Sequence, residues 1–166
     1  MIQIVSLFVA LLFTATTAAN VGAQESLSSL VGVWKVKSVE TKELASGKAI
    51  RPFGNAPSGT FIFTTGGQMV GMQYAENRKT PASSNPTDTE RVALHSSMSA
   101  YSGRYRVEGK KLFIAIEESS IQSWNGTTRI INIELSGSKL TGTSESFKSL
   151  ITGAEVVAII AWERTE

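Results

Sequence analysis

The sequence predicts an all-β protein that closes into a barrel, and two observations carry this prediction. Short runs of alternating apolar and polar residues recur along the chain between glycine-rich or polar turns, which is typical of a β-sandwich or barrel. A Gly-Val-Trp motif at 32–34 and a Trp-Glu-Arg motif at 162–164 stand at opposite ends of these runs. Because the first and last strands of a barrel are neighbours, we expect the Arg164 guanidinium to lie over the Trp34 ring and close one end.

Eight strand segments account for these runs. Their approximate spans are 32–40, 59–65, 68–75, 102–108, 111–118, 127–136, 138–145 and 154–163. Glycine-containing turns at 65–67, 108–110 and 136–138 join neighbouring segments and predict hairpins.

Two stretches break the strand rhythm. Residues 76–87 form a polar, proline-containing loop, and a short helix from 88 to about 99 follows it, between the third and fourth strands. Thr87 and Glu90 have the spacing of a capping box, which predicts where this helix begins. The connection 41–58 contains glycines and prolines and is long enough to fold over a barrel mouth.

The first 23 residues have the features of a secretory signal peptide. They carry no charge, contain an apolar run at 4–13, and end in Val-Gly-Ala, so cleavage is expected after Ala23. The missing basic residue before the apolar run departs from the usual pattern, and an uncleaved anchor is the alternative. That run covers about 10 residues where a spanning helix needs roughly 20, which favours cleavage and export to the periplasm or the medium. Residues 24–166 then form one domain.

Composition excludes several classes of function. The chain has no cysteine and one histidine, His95, so neither a thiolate nucleophile nor a metal site of several cysteines or histidines is available. We therefore predict no metal and no cofactor. The 16 basic and 14 acidic residues are interspersed, which gives little electrostatic attraction for nucleic acid or an anionic membrane. His95 is expected to be a surface residue of the helix, with a general base at the barrel mouth as the alternative.

Several motifs resemble the lipocalin-like domain family of bacterial and fungal proteins. The matching positions are 30–34, Ser38, Glu40, 52–54, Pro57, Gly59, Thr64, Gly67, Met69, 101–105, Trp124, Gly126, Thr127, Arg129 and 162–164. They occur in the right order across the whole chain after residue 23. The resemblance implies an eight-stranded antiparallel lipocalin-like barrel, a type that commonly encloses a small apolar ligand.

Arg129 is the most informative candidate for ligand contact. It shares a face of the sixth strand with three aliphatic residues, Ile131, Ile133 and Leu135. If that face is the interior, the cation requires a carboxylate partner or an anionic ligand group. Glu117 on the neighbouring strand is a candidate partner, and a solvated position at the barrel rim is the alternative.

Aromatic and methionine side chains complete the predicted lining. The residues predicted to contact a ligand are Phe61, Phe63, Met72, Tyr105, Phe113, Arg129 and Ile131. Tyr105 and Trp124 could also donate a hydrogen bond to the polar end of a ligand. Pocket lining and a filled core look alike in sequence, so the barrel interior can be open or filled.

These observations lead to one main hypothesis and two alternatives. The main hypothesis is an exported binding protein for a small hydrophobic or amphiphilic molecule, held in a mostly apolar cavity beside the 41–58 connection and the helix. One alternative is a cofactor-free isomerase or cyclase that polarises a carbonyl with Arg129 or Tyr105. The other is an interaction or stress-response module whose barrel is filled.

Overall fold

A computed structural model describes residues 28–149 and 152–166, so the predicted signal peptide lies outside the described residues. The elements in chain order are β1 (Gly32–Glu43), β2 (Ala49–Ile50), β3 (Ser58–Phe63), β4 (Gln68–Tyr74), α1 (Asp88–Ser96), β5 (Met98–Glu108), β6 (Lys111–Ser119), a 3₁₀ turn (Gln122–Trp124), β7 (Thr128–Ser136), β8 (Lys139–Ser144), β9 (Phe147–Lys148) and β10 (Glu155–Arg164).

Eight of these strands form a closed antiparallel barrel. The ring order is β1, β3, β4, β5, β6, β7, β8 and β10, and pairing of β10 with β1 closes it. The predicted all-β class, the eight-strand count and the closure are confirmed. The two-residue strands β2 and β9 pair with β1 and β10 at the barrel edge. The helix was predicted between the third and fourth strands, but it follows β4 and precedes β5. The numbering differs because the 41–58 connection contains the short strand β2, which the sequence did not indicate.

The capping box that was predicted for the helix is present. The Thr87 hydroxyl accepts a hydrogen bond from the Glu90 amide, and Glu90 Oε2 accepts one from the Thr87 amide at 2.7 Å. The helix ends at Ser96, a few residues earlier than predicted, because β5 already begins at Met98. The capping-box spacing therefore predicted the start of the helix more accurately than the sequence pattern predicted its end.

The two ends of the barrel differ in how the strands are joined. At the base, where β1 begins, tight turns at 64–67, 109–110 and 137–138 link the strands. At the mouth, where β1 ends, the longer connections 44–57, 75–97, 120–127 and 145–154 carry β2, α1, the 3₁₀ turn and β9. Long connections on a rigid barrel are where ligand-binding residues usually lie, so the mouth is the candidate functional end.

The base half of the barrel is filled by side chains. Trp34 is completely buried, and its indole Nε1 donates a hydrogen bond to the Leu30 carbonyl oxygen at 2.8 Å. The Arg164 guanidinium carbon lies 4.5 Å from the centre of the Trp34 ring. Arg164 Nη2 also donates to the Ser29 carbonyl oxygen. The predicted contact between the first and last strands is thus confirmed, and it seals the base.

We predict that Arg164→Ala destabilises the barrel by about 2 kcal/mol, the upper range for a desolvated cation–π contact. Arg106→Ala is a matched control, because the Arg106 guanidinium lies 4.0 Å from the Phe113 ring on the exposed outer face. The control should cost less than about 1 kcal/mol. Urea denaturation midpoints measure both losses, and equal losses would contradict a sealing role for Arg164.

Candidate functional site

Arg129 lies near the start of β7 and faces the interior of the barrel. Its directly opposite partner on β6 is Ile114, and the next inward pair is Ile131 with Leu112. Directly opposite residues project to the same side of a sheet, and these three aliphatic side chains are buried. Arg129 itself is half-buried, so it stands on the inner face at the mouth.

Two aromatic rings from separate connections flank the Arg129 guanidinium. Its carbon is 3.9 Å from the centre of the Trp124 ring, which the 3₁₀ turn after β6 supplies. It is 5.5 Å from the centre of the Phe147 ring, which lies on β9. Both distances are within the reach of a cation–π interaction. The rings hold the guanidinium in place, but neither of them neutralises its charge.

The Arg129 side chain has no ion pair and no hydrogen bond with any other residue in 28–149 or 152–166. Burial lowers the pKa of Arg129 because it disfavours the charged form, and the nearby Tyr101 raises it. Since the arginine side chain keeps its proton in proteins, the site holds a partly desolvated cation with unused donors. Such a group attracts an anion.

Tyr101 is the second polar group at this site. Its ring makes edge contacts with Trp124 at 5.9 Å and with Phe61 at 5.8 Å between ring centres. Burial raises the pKa of Tyr101 to about 12, an effect that the positive charge of Arg129 partly offsets. The phenol is therefore neutral at ordinary pH, and its hydroxyl makes no hydrogen bond to another described residue. It can donate one to a ligand.

The structure separates the predicted lining residues into three groups. Phe61 and Ile131 are buried on the inner face, close to Tyr101 and Arg129 respectively. Phe63 and Tyr105 also face inward, but they pack together in the filled base, with ring centres 5.0 Å apart. The Tyr105 hydroxyl donates to the Thr64 carbonyl oxygen at 2.8 Å, so it is not available to polarise a substrate.

The prediction that Met72 and Phe113 face the interior is wrong. Met72 is opposite Thr60 and is 38% exposed on the outer surface, while Gly71 and Gln73 face inward. Phe113 points outward under the Arg106 guanidinium. In both strands the true inner face is displaced by one residue from the predicted one, and a shift of one residue reverses every side chain.

Glu117 is not the partner of Arg129. It lies on the same outer face of β6 as Phe113, where Glu117 Oε1 is 3.7 Å from Arg104 Nε. His95 is exposed on α1, with Nε2 3.2 Å from the Ser120 carbonyl oxygen, as expected for a surface histidine.

Two clefts lie at the mouth end of the barrel. The smaller has a volume of about 90 Å³ and is lined by Thr41, Glu43, Lys48, Ile50, Thr152 and Val156. The larger, of about 440 Å³, lies between the 76–82 loop and α1 and includes neither Arg129 nor Tyr101. The smaller cleft includes neither of these two residues either. A ligand at Arg129 therefore requires the mouth connections to separate.

The sequence reasoning did not identify Tyr101 and Phe147 as site residues. The signal for Tyr101 was present, because Tyr101, Gly103 and Tyr105 alternate along β5. That strand was predicted to begin only at residue 102, which left Tyr101 out. Phe147 follows a polar stretch and belongs to a two-residue strand, so its contact with Arg129 had no local signal.

In residues 28–149 and 152–166, no three of the His, Asp and Glu side chains are grouped closely enough to hold a metal ion. In the same part of the chain, no helix has the length and apolar character needed to cross a membrane.

Comparison with known proteins identifies the family of this barrel. The family model of the lipocalin-like domain matches residues 31–165. The chain belongs to the lipocalin-like domain family. This confirms the resemblance that the sequence motifs indicated. No curated protein matches the chain.

Several solved structures are similar to this lipocalin-like chain. A lipocalin-like protein from Bacteroides uniformis has 13% identity and a TM-score of 0.44, covering 82% of this chain and 98% of that one. A mutant of the fluorescent protein UnaG has 14% identity and a TM-score of 0.38, covering 84% and 98%. The REP1-NXSQ fatty acid transporter has 12% identity and a TM-score of 0.39, also covering 84% and 98%.

Proposed function

We propose that this lipocalin-like protein is an exported binding protein for a small anionic amphiphile. The acidic group of the ligand binds to Arg129 at the mouth, and its apolar part lies against Phe61 and Ile131. Export rests on the apolar run at 4–13 and on the small residues that precede the expected cleavage after Ala23.

One observation carries the proposal for the ligand. Arg129 is a half-buried cation on the inner face, without an anion or a hydrogen-bond acceptor among the described residues. Removing a cation from water is costly unless a counter-charge or several acceptors replace the water. A carboxylate fits the planar guanidinium well because it can accept two parallel hydrogen bonds. An anionic ligand therefore supplies what the barrel lacks.

The neighbours of Arg129 support an amphiphile rather than a small inorganic anion. Trp124 and Phe147 present apolar surface beside the guanidinium, and Phe61 and Ile131 continue that surface into the barrel. The neutral Tyr101 hydroxyl can donate a further hydrogen bond to the acidic group. The filled base below Phe61 limits the depth of insertion, so a short or medium alkyl chain fits better than a long one.

The proposal predicts that the protein distinguishes decanoic acid from decanol, which have the same chain. Decanoic acid is expected to bind about tenfold more tightly or better, because only the carboxylate forms charge-assisted hydrogen bonds. Decylamine should bind more weakly than either, since its ammonium group is repelled by Arg129. Isothermal titration calorimetry at neutral pH measures the three affinities. Equal affinities for the acid and the alcohol would contradict the proposal.

A further inference from the structure

The buried side-chain atoms without a hydrogen-bond partner in the described residues are Gln73 Oε1, Ser99 Oγ, Asn125 Oδ1, Trp162 Nε1 and Arg164 Nε, and the first two belong to adjacent residues on neighbouring strands. Gln73 on β4 and Ser99 on β5 are directly opposite each other, and they are only 7% and 3% exposed. In the part of the chain that the structure describes, Gln73 Oε1 and Ser99 Oγ have no hydrogen-bond partner. Most buried polar atoms in proteins are paired, so two adjacent unpaired atoms require an explanation.

The Gln73–Ser99 pair belongs to the same inner surface as the Arg129 site. Ser99 precedes Tyr101 by two residues on β5, so both side chains project to the same face about 7 Å apart along the strand. Tyr101 in turn contacts Trp124, and Trp124 contacts Arg129. A continuous inward-facing surface therefore leads from Arg129 to the Gln73–Ser99 pair.

The two unpaired atoms have complementary requirements. Gln73 Oε1 can only accept a hydrogen bond, whereas Ser99 Oγ can donate one as well as accept one. A hydroxyl group satisfies both atoms at once, because its O–H donates to Gln73 and its oxygen accepts from Ser99. A carboxylate would leave Gln73 Oε1 unpaired, and a methylene would leave both atoms unpaired.

We infer that Gln73 and Ser99 bind a hydroxyl group on the ligand chain, so that the protein selects hydroxylated acids over plain ones. The inference rests on the proposed function, since Arg129 is taken to hold the acidic end of the same molecule. It adds a second polar contact, which fixes how far along the chain the hydroxyl must stand.

The test compares decanoic acid with the set of monohydroxydecanoic acids that differ in the position of the hydroxyl. At least one isomer is expected to bind the wild-type protein about tenfold more tightly than decanoic acid, as for one or two well-made hydrogen bonds. Isomers with the hydroxyl elsewhere should bind no better than decanoic acid, because a misplaced hydroxyl is buried without partners.

Variants of Gln73 and Ser99 test whether these two residues cause the tighter binding of the hydroxylated isomer. The double variant Gln73→Met, Ser99→Ala should lose the preference for the hydroxylated isomer while keeping its affinity for decanoic acid. Without ligand it should unfold at the same temperature as the wild type or higher, because the atoms removed had no partners. Gln68→Met with Ser102→Ala is the matched control, with the same replacements on the outer face of the same strands. If the double variant does not fold, the single variant Ser99→Ala replaces it in the same measurements.

Each other outcome overturns the inference. If decanoic acid binds but no isomer binds more tightly, the hydroxyl site is wrong and the anion site stands. If the double variant keeps the preference for the hydroxylated isomer, residues other than Gln73 and Ser99 bind the hydroxyl group. If it unfolds at a lower temperature and loses affinity for both acids equally, the pair is structural. If neither acid binds the wild type, the proposed function fails together with the inference.

Discussion

Gly71→Ala is expected to destabilise the barrel by about 1–3 kcal/mol, the range for overpacking a well-filled core. A Cβ atom at Gly71 would lie 2.4 Å from Phe61 Cε1 and 2.5 Å from Phe61 Cδ1. The Phe61 ring cannot easily move aside, because it is 2% exposed and the edges of Tyr101 and Trp162 hold it, with ring centres 5.8 and 5.4 Å away. Gly71 is thus needed because its opposite partner is a large ring.

The control for this prediction is Gly66→Ala in the turn between β3 and β4. A Cβ at Gly66 would meet only Thr64 Oγ1, at 4.0 Å, so this variant should be close to neutral. Phe61→Leu in the Gly71→Ala background should recover part of the loss, which a double-mutant cycle from denaturation midpoints can measure. Equal stabilities of the two alanine variants would show that the ring yields, and the argument from close packing would then be wrong.

The contact between Phe61 and Gly71 also explains why the inner face predicted for β4 was wrong. Its inner residues are Met69, Gly71 and Gln73, while the outer face carries Val70 and Met72 and is the more apolar of the two. Alternation alone therefore assigns the wrong face. Phe61 fills the space above Gly71 from the opposite strand, and that information is in the pairing of β3 with β4 rather than in β4 itself.

The inner face predicted for β6 was wrong for a different reason. The segment from Leu112 to Ile116 is apolar at every position, so both faces satisfy the pattern of a buried strand. Pairing with β7 decides the question, because Leu112 and Ile114 are opposite the inward Ile131 and Arg129. The outward Phe113 is covered in part by the Arg106 guanidinium, which the sequence does not indicate.

Predictions succeeded where the signal was local or was set by closure of the barrel. The capping box of α1 lies within four residues, and the contact of Trp34 with Arg164 follows once the first and last strands are neighbours. The grouping of Trp124, Phe147 and Arg129 depends on two separate connections meeting the start of β7 at the mouth. No spacing within the chain encodes that meeting.

Arg129→Met is expected to weaken binding of decanoic acid by about 10- to 150-fold, which corresponds to the roughly 1.5–3 kcal/mol of a hydrogen bond to a charged group. Binding of decanol should change little, because methionine keeps most of the apolar contact with Trp124 and Phe147 while removing only the charge. Calorimetric titration of both ligands against both proteins gives the four affinities that the comparison needs.

Two further measurements distinguish a role of Arg129 in binding the acidic group of the ligand from a structural role. Arg104→Met removes the same charge from the outer face, where Arg104 is 69% exposed beside Glu117, and should leave both affinities unchanged. Arg129→Met without ligand should unfold close to the wild-type temperature, because the relief of a partly desolvated cation without a counter-charge among the described residues offsets the loss of the cation–π contacts with Trp124 and Phe147. Equal losses for acid and alcohol, or a marked loss of stability, would mean that Arg129 supports the mouth and does not bind the acidic group.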